Sequence, residues 1–420
     1  MAISSDIRYP ASGIYDLMII GAGPAGCTLA LHVADSGLRV AIMDKATFPR
    51  EKICGDALSG HVVNIIKRLP GKVWEDFKTL QPKTGSGGMR FVAPNGKFMD
   101  IPFEADADGE PSKAGFLCRR SVFDNFLVNK VKSCSNIDFF EDFTVEDIKE
   151  HPELLEIIGN KGTITGKMVA GADGNGSITG STLSGWIPEK DNYFLGIRGY
   201  YKGVSDLHPQ NFIELFFIRD ILPGYLWIFQ MEDGLVNVGL GMLHNRVIRE
   251  KIILSQLLQK ILSTDPGLSG RFKDANLTGK LEAHGLPMGP DPRPKSGKRF
   301  ILLGDAAGLV DPFTGEGIGN AMMSGEIASK VVKDGFFKKD FSADFLSRYD
   351  HLLLEKTGRE MRINKRMQRL ACYPGLIDFI IGKVSNNKTL QSLMTKMYTD
   401  PAARKKLVNP VFYLELLFRK

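Results

Sequence analysis

The first residues with a chemical pattern are the glycines of Gly21-Ala-Gly23-Pro24-Ala25-Gly26, which follow the apolar run Asp16-Leu-Met-Ile-Ile20. Gly21 permits a tight turn, Gly23 lets backbone approach a pyrophosphate, and Gly26 lets a helix pack closely on a strand. Pro24 and Ala25 sit where that helix begins, so its first N–H groups point at phosphate. Asp44 stands 18 residues past Gly26, after a second apolar run, Arg39-Val-Ala-Ile-Met43, with Lys45 beside it in the same candidate site. A carboxylate at that place accepts hydrogen bonds from a ribose diol. The chemistry is dinucleotide binding, and these residues alone leave NAD and FAD both open.

A second constellation separates them. Phe300-Ile-Leu-Leu303 leads into Gly304-Asp305-Ala-Ala-Gly308, and then into Asp311-Pro-Phe-Thr-Gly315-Glu-Gly317-Ile318. Asp305 at a strand end is placed to accept hydrogen bonds from ribityl hydroxyls. The Gly315–Gly317 turn, ending at Ile318, brings backbone N–H groups and the positive end of a helix to an anion. Reduced flavin carries negative charge near N1 and O2, so a helix start there favours it. With the Gly21 turn, this pattern points to FAD.

The pair of motifs, with Gly171-Ala-Asp173-Gly174 between them, resembles the flavoprotein monooxygenase fold typified by p-hydroxybenzoate hydroxylase. The resemblance implies that Asp173 and Gly174 support the pyrophosphate side of FAD. Two further segments are similar to the geranylgeranyl reductase family. Phe48-Pro-Arg-Glu-Lys-Ile-Cys54-Gly55-Asp-Ala57 carries its Lys-x-Cys-Gly stretch, and Leu222-Pro-Gly-Tyr225-Leu-Trp227-Ile-Phe229 its Pro-Gly-Tyr-x-Trp-x-Phe strand. Arg120-Ser-Val-Phe123-Asp124 fits its Arg-x-x-Phe-Asp helix start. The likeness runs in order from residue 14 to about 345. It implies that Arg120 approaches the flavin nucleotide, that Cys54 lies beside the isoalloxazine, and that backbone at Gly55 and Ala57 contacts the ring or ribityl chain. Gln230 stands where the family usually has Pro, which alters the end of the substrate strand.

Tyr225, Trp227 and Phe229 alternate along a strand and share one face. Spacing alone fits core packing as well as a pocket; with the resemblance the face reads as the wall of a long apolar pocket for an isoprenoid chain. Cys54 has two readings, a buried free cysteine or a residue beside the flavin; the proton donor is not visible in the residues, and the Cys54 thiol and an ordered water are its candidates. The seven histidines, His32 and His284 among them, show no ligand spacing and read as structural or surface residues. No metal site is expected.

These residues need elements to hold them. Strand, glycine turn, helix and strand within about 30 residues make a βαβ unit. A helix is expected over Ser121–Lys132 and another over Val247–Leu262, with β-rich aromatic runs from Asn192 to Gly241 and a mostly helical pattern after Phe345. The expected architecture is an α/β FAD-binding Rossmann-type domain, discontinuous in sequence (1–75, 113–183 and 283–345). It carries an inserted β-rich substrate domain (76–112 and 184–282) and a helical C-terminal region (346–420).

The bulk composition narrows the class. Glycine is in excess, 45 of 420 residues against a usual share of about 7%, and it clusters in short stretches, so it is positional. Net charge is +6, from 54 Lys and Arg against 48 Asp and Glu, without a basic block of nucleic-acid-binding length. Five scattered cysteines build neither a disulfide framework nor an iron–sulfur site, which fits a reducing compartment. No secretory leader and no apolar run of spanning length are seen, so the cytoplasm is expected. The tail with Arg404, Lys405, Lys406, Arg419 and Lys420 reads either as solvated or as a contact with an anionic membrane at its inner face. Pro374–Ile381 is a second candidate for bilayer contact.

The functional expectation is an FAD-dependent reductase that saturates C=C bonds in a polyprenyl lipid or quinone side chain. Its reductant is NAD(P)H or a reduced carrier protein, since only one G-x-G-x-x-G unit exists. The alternatives are an FAD-dependent monooxygenase (hydroxylase or epoxidase), a halogenase-like enzyme, or an electron-transfer flavoprotein. The Trp-x-Trp-x-Ile-Pro stretch of halogenases has its nearest match at Tyr225-Leu-Trp227-Ile-Phe-Gln230, which lacks the first Trp and the Pro. Composition leaves the oligomeric state open.

Overall fold

The structure is a computed structural model that describes residues 13–103, 115–185, 192–385, 387, 390 and 391. The basic tail from Arg404 to Lys420 lies outside the described residues. The first sheet has eight strands: β1 (Tyr15–Ile20), β2 (Val40–Met43), β8 (Ile137–Phe140), β9 (Val145–Glu150), β10 (Leu155–Gly159), β11 (Gly162–Gly171), β17 (Ser296–Gly297) and β18 (Phe300–Leu302). Its centre runs β18-β11-β1-β2-β8, all parallel, and the first half of β11 also forms an antiparallel hairpin with β10. The apolar runs read from sequence are continuous because both faces are covered. Leu17, Ile19, Val40 and Ile42 point into the main core with α1 (Pro24–Val33), α4 (Arg120–Lys132) and α8 (Ile318–Lys338). Met18, Ile20, Ala41 and Met43 point the other way, onto Phe143, Ile148, Leu155 and Ile157.

The second sheet has seven strands: β5 (Gly88–Val92), β6 (Phe98–Pro102), β12 (Tyr193–Lys202), β13 (Ile213–Phe216), β14 (Leu226–Gln230), β15 (Val236–Leu243) and β16 (Asn276–Pro287), in the order β16-β12-β15-β14-β13-β5-β6. One face packs on α6 (His244–Arg249) and α7 (Leu254–Thr264), where Leu226, Ile228, Val238 and Leu240 meet Leu258 and Ile261. The opposite face carries Met89, Ile213, Leu215 and Phe229. A small antiparallel sheet of β3 (Ala57–Leu58), β4 (Thr84–Gly85) and β7 (Phe116–Leu117) lies in the order β3-β7-β4. Among the described residues the further α-helices are α2 (Gly60–Ile66), α3 (Val73–Thr79), α5 (Ile178–Ser184), α9 (Ala343–Leu353), α10 (Arg359–Leu370) and α11 (Pro374–Ser385).

One expectation changes. The helix read over Val247–Leu262 is two helices, broken at Glu250–Ile253, where Lys251 takes φ +52°. Val247, Leu254 and Leu258 all reach the same core from either side of the break, so apolar spacing could not reveal it. In the Pro374–Ile381 segment the apolar residues divide between interior and surface, with Phe379 half-buried. Ile377 and Ile381 are buried, and with Leu376 and Ile380 they line an internal cleft. Among the described residues no helix is long and apolar enough to cross a membrane.

Candidate functional site

A cleft of about 1370 Å³ runs between the two large sheets and continues to α10 and α11. Single-ligand pockets are commonly about 300–1000 Å³, so there is room for two ligands end to end. Every expected site residue except Gly26 lines it: Gly21, Gly23, Pro24, Ala25, Asp44, Lys45, Cys54, Gly55, Ala57, Arg120, Asp173, Gly174, Tyr225, Trp227, Phe229, Gly304, Asp305, Gly315, Gly317 and Ile318. Gly26 acts beneath the cleft. A methyl group on it would collide with the Gly21 carbonyl, so its bare Cα is what lets α1 press onto the turn after β1. Gly21 has φ +102° and abuts the Ala172 carbonyl, a place no side chain fits.

The nucleotide end has the features that phosphate needs. Helices α1 and α8 both start without a side-chain cap, at Gly23 and Gly317, and both starts line the cleft. Their first N–H groups are therefore left to an anion. Asp44 accepts the Ala22 and Ala46 N–H groups, one at each oxygen and both at 2.9 Å, which leaves further lone pairs for a diol. Asp173 is used differently. Its carboxylate accepts Ser177 Oγ (2.6 Å) and the Thr179 N–H and Oγ1 (3.0 Å each), holding the start of α5. That segment therefore offers the cleft its backbone at Gly174, and burial pushes the Asp173 carboxyl up.

Arg120 is buried and pinned by Asp124 one turn on (Nε–Oδ1 2.7 Å, Nη2–Oδ2 2.8 Å). The same Asp124 pairs with Arg50 at 3.0 Å. Arg50 was not among the expected residues, though it lies in the quoted Phe48–Cys54 stretch. Its guanidinium stands against Gly23, 3.8 Å from where a Cβ there would be, so the cluster of two arginines and one aspartate leaves one positive charge beside the turn. These residues fit the pyrophosphate of FAD.

At the middle of the cleft, Lys52 Nζ lies 3.0 Å from His284 Nε2. Burial, then the cations Lys52, Arg120 and Lys45, push the His284 imidazole down to about 4. The ring is thus neutral near pH 7 and can accept from Lys52 Nζ, whose own pKa burial lowers. This corrects the reading of His284 as a structural or surface residue, since it lines the cleft. Asp305 lies close by, its carboxyl raised by burial and pulled back by Lys52 and Arg120. Burial also raises the Cys54 thiol, with Arg120 opposing and Asp56 adding, so Cys54 holds its proton at neutral pH. Across the cleft, Asp311 ties the turn before Gly315 to α10: its oxygens accept the Phe313 and Thr314 N–H groups (2.9 and 2.8 Å) and Asn364 Nδ2 (2.5 Å).

The other end is apolar. Tyr225, Trp227 and Phe229 present their rings to the cleft with neighbouring centroids 6.3 and 6.2 Å apart. Met89, Phe91, Ile101 and Leu215 from adjacent strands extend that wall. Met367, Leu370, Ile377 and Ile381 close it from α10 and α11, a contribution the sequence pattern did not disclose. The two ends meet at Gly55, where a Cβ would lie 3.0 Å from the Phe229 ring and 3.7 Å from Trp227 Nε1. Among the described residues, no group of three or more His, Cys, Asp or Glu is arranged to hold a metal ion.

The FAD binding domain family matches residues 15–217. A digeranylgeranylglycerophospholipid reductase of Methanococcus vannielii is 30% identical over 346 residues, 81% of this chain and 83% of that one. A menaquinone reductase of Mycolicibacterium smegmatis is 26% identical, over 91% of this chain and 90% of that one. Among solved structures, a geranylgeranyl bacteriochlorophyll reductase-like protein from Thermoplasma acidophilum superposes with a TM-score of 0.77 at 22% identity, covering 94% of this chain and 98% of that one. The halogenase PltM shares the fold at a TM-score of 0.72 and 16% identity, covering 96% and 90%.

Proposed function

Because this chain belongs to the geranylgeranyl reductase family of FAD-dependent oxidoreductases, we propose that it saturates C=C bonds in a polyprenyl chain, carried by a lipid or as the side chain of a quinone. The observation that carries the reading is the continuous apolar cleft from Gly55 past Trp227 to Ile377 and Ile381. When bound and reduced, FAD supplies the hydride. The residues of the chain do the rest. The Gly21–Gly26 turn, the start of α1 and Arg50 hold the diphosphate; Asp44 holds a ribose; Asp305 and the start of α8 hold the ribityl and ring end.

An isolated alkene has no carbonyl to stabilise developing charge, so close positioning and water exclusion must do most of the catalytic work. Trp227 and Phe229 supply the flat apolar wall for both. Cys54 Sγ–H, at the junction of the two ends, is the proton source for the second alkene carbon. The reductant is NAD(P)H or a reduced carrier protein. The named relatives support a prenyl-bearing substrate, one a phospholipid reductase and one a menaquinone reductase.

The test is anaerobic incubation of the FAD-loaded chain with dithionite and either a geranylgeranylated phospholipid or a menaquinone, read by mass spectrometry. A gain of two hydrogens per double bond is expected from at least one of them. No saturation of either overturns the proposal, and repeating the working reaction with NADPH or reduced ferredoxin identifies the donor. The shared fold of PltM makes oxygen chemistry the competing reading. A hydroxylated or halogenated product formed in air would favour it.

A further inference from the structure

Asn237 is the second residue of β15, between the buried Val236 and Val238, and is itself fully buried. An amide in an apolar strand is costly unless its polar atoms are used. Here all its hydrogen-bonding groups are engaged. Oδ1 accepts from Trp227 Nε1 at 2.9 Å, while Nδ2 donates to the Cys54 carbonyl and to Asp56 Oδ2, each at 2.9 Å. Both donors find acceptors and the acceptor finds a donor, so this set of partners fits one orientation of the amide. The three partners belong to the aromatic strand, the cysteine turn and a buried carboxylate.

The carboxylate is equally committed. Asp56 is fully buried, has φ +65°, and accepts from Tyr200 Oη (2.6 Å) and the Arg120 N–H (3.3 Å) as well as from Asn237. A non-glycine residue in that backbone region is held there by its surroundings. We propose that Asn237 is a positioning residue that locks the Trp227 indole against the Cys54–Gly55 backbone, and so sets the gap between the cofactor side and the substrate wall. The substrate half of this statement rests on the prenyl-reductase reading; the geometric half does not.

Asp56 links the lock to pH. Burial raises its carboxyl to about 6, against the hydrogen bonds from Tyr200 and Asn237 and the charges of Arg198 and Arg120. The groups facing it are Arg198 and Tyr200 on β12, Asn237 on β15, Arg120 at the start of α4, and the Cys54 and Cys118 thiols, which burial keeps protonated. Arg119 stacks on the Tyr200 ring from outside, 4.7 Å from its centroid. Protonating Asp56 leaves Tyr200 Oη and Asn237 Nδ2 with a weaker, neutral acceptor, so the hold of the amide on Trp227 is expected to slacken.

The chain has three tryptophans, so Trp74→Phe with Trp186→Phe leaves Trp227 as the reporter in the FAD-loaded protein. In that background Asn237→Leu is expected to keep its flavin, shift the Trp227 emission, and alter the visible circular dichroism of the flavin. Turnover of the prenyl substrate should fall roughly 10- to 100-fold with KM changed by less than about threefold. A merely structural asparagine would lower Tm without moving these spectra. A folded, flavin-bound Asn237→Leu protein with native emission and native kcat overturns the proposal. Should that variant fail to fold, the native residue is tested by titration: Trp227 emission should move with a midpoint near pH 6 and stop moving in Asp56→Asn. Emission flat across that window overturns the proposal. The spectral arms use no substrate, so a failure of prenyl saturation alone leaves them readable.

Discussion

The two ends of the cleft are built on opposite plans. At the nucleotide end, short contiguous stretches each bring a turn and a helix start, Gly21 to Gly26 with α1 and Gly304 to Ile318 with α8, the second with its own carboxylate, Asp305. At the apolar end the wall is assembled one or two residues at a time from four neighbouring strands (β14, β13, β5 and β6) and two C-terminal helices. Phosphate is recognised by backbone N–H groups in one fixed geometry, so each stretch must carry its whole shape. An apolar chain is recognised by area and shape, which many side chains can share. The first plan fails at single glycines, whereas the second should degrade by degrees.

That contrast sets the order of expected effects. Gly26→Val drives a side chain into the Gly21 carbonyl; flavin absorbance per mole of purified protein should collapse, and a yellow, stoichiometric variant would break the comparison at its strongest point. Asp44→Ala removes the proposed diol acceptor and frees the Ala22 and Ala46 N–H groups. Flavin affinity should fall roughly tenfold or more, measured by fluorescence on reconstitution, while KM for the lipid stays close to native. Trp227→Ala reverses the pattern: KM for the lipid should rise roughly tenfold with flavin retained. A bleached Trp227→Ala protein would mean that this strand belongs to the cofactor.

The smallest effect concerns pH. His284 is held at about 4 in the folded chain against 6.5 unfolded. The unfolded ring gains a proton first, so stability is lost as pH falls from 6.5 towards 4. Asp56 runs the other way, raised from 3.8 to about 6. Between those values the folded carboxyl holds a proton that the unfolded one has released, so stability falls as pH rises. The two slopes oppose each other from about 4 to 6, and the native protein should show a shallow dependence there. Asp56→Asn should make chemical-denaturation stability climb with pH through this window, and His284→Gln should make it decline. Parallel curves for both variants would show that neither group titrates as argued.

Much of this was legible in the residues. The βαβ unit, the second glycine constellation and the β-rich run emerged where strand or helix periodicity coincided with turn residues. The break between α6 and α7 did not, because Val247 and Leu258 serve one core on both sides of it. The Asp173 segment was legible as part of the cleft, but the use of its carboxylate on Ser177 and Thr179 was not, since a motif gives residue identity without giving partners.

By itself the amino-acid sequence pointed to the cofactor class and to the two turns of its cradle, because each glycine turn that leads into a helix, at Gly21–Gly26 and at Gly304–Ile318, is local backbone geometry carried by one short stretch. Only the tertiary structure decided what faces that cradle. Lys52 meets His284 across 232 positions, and Asn237 meets the Cys54 carbonyl across 183. The C-terminal helices close the apolar wall through Met367, Leu370, Ile377 and Ile381. Such contacts follow from the packing of one sheet against another, and no local spacing encodes that packing.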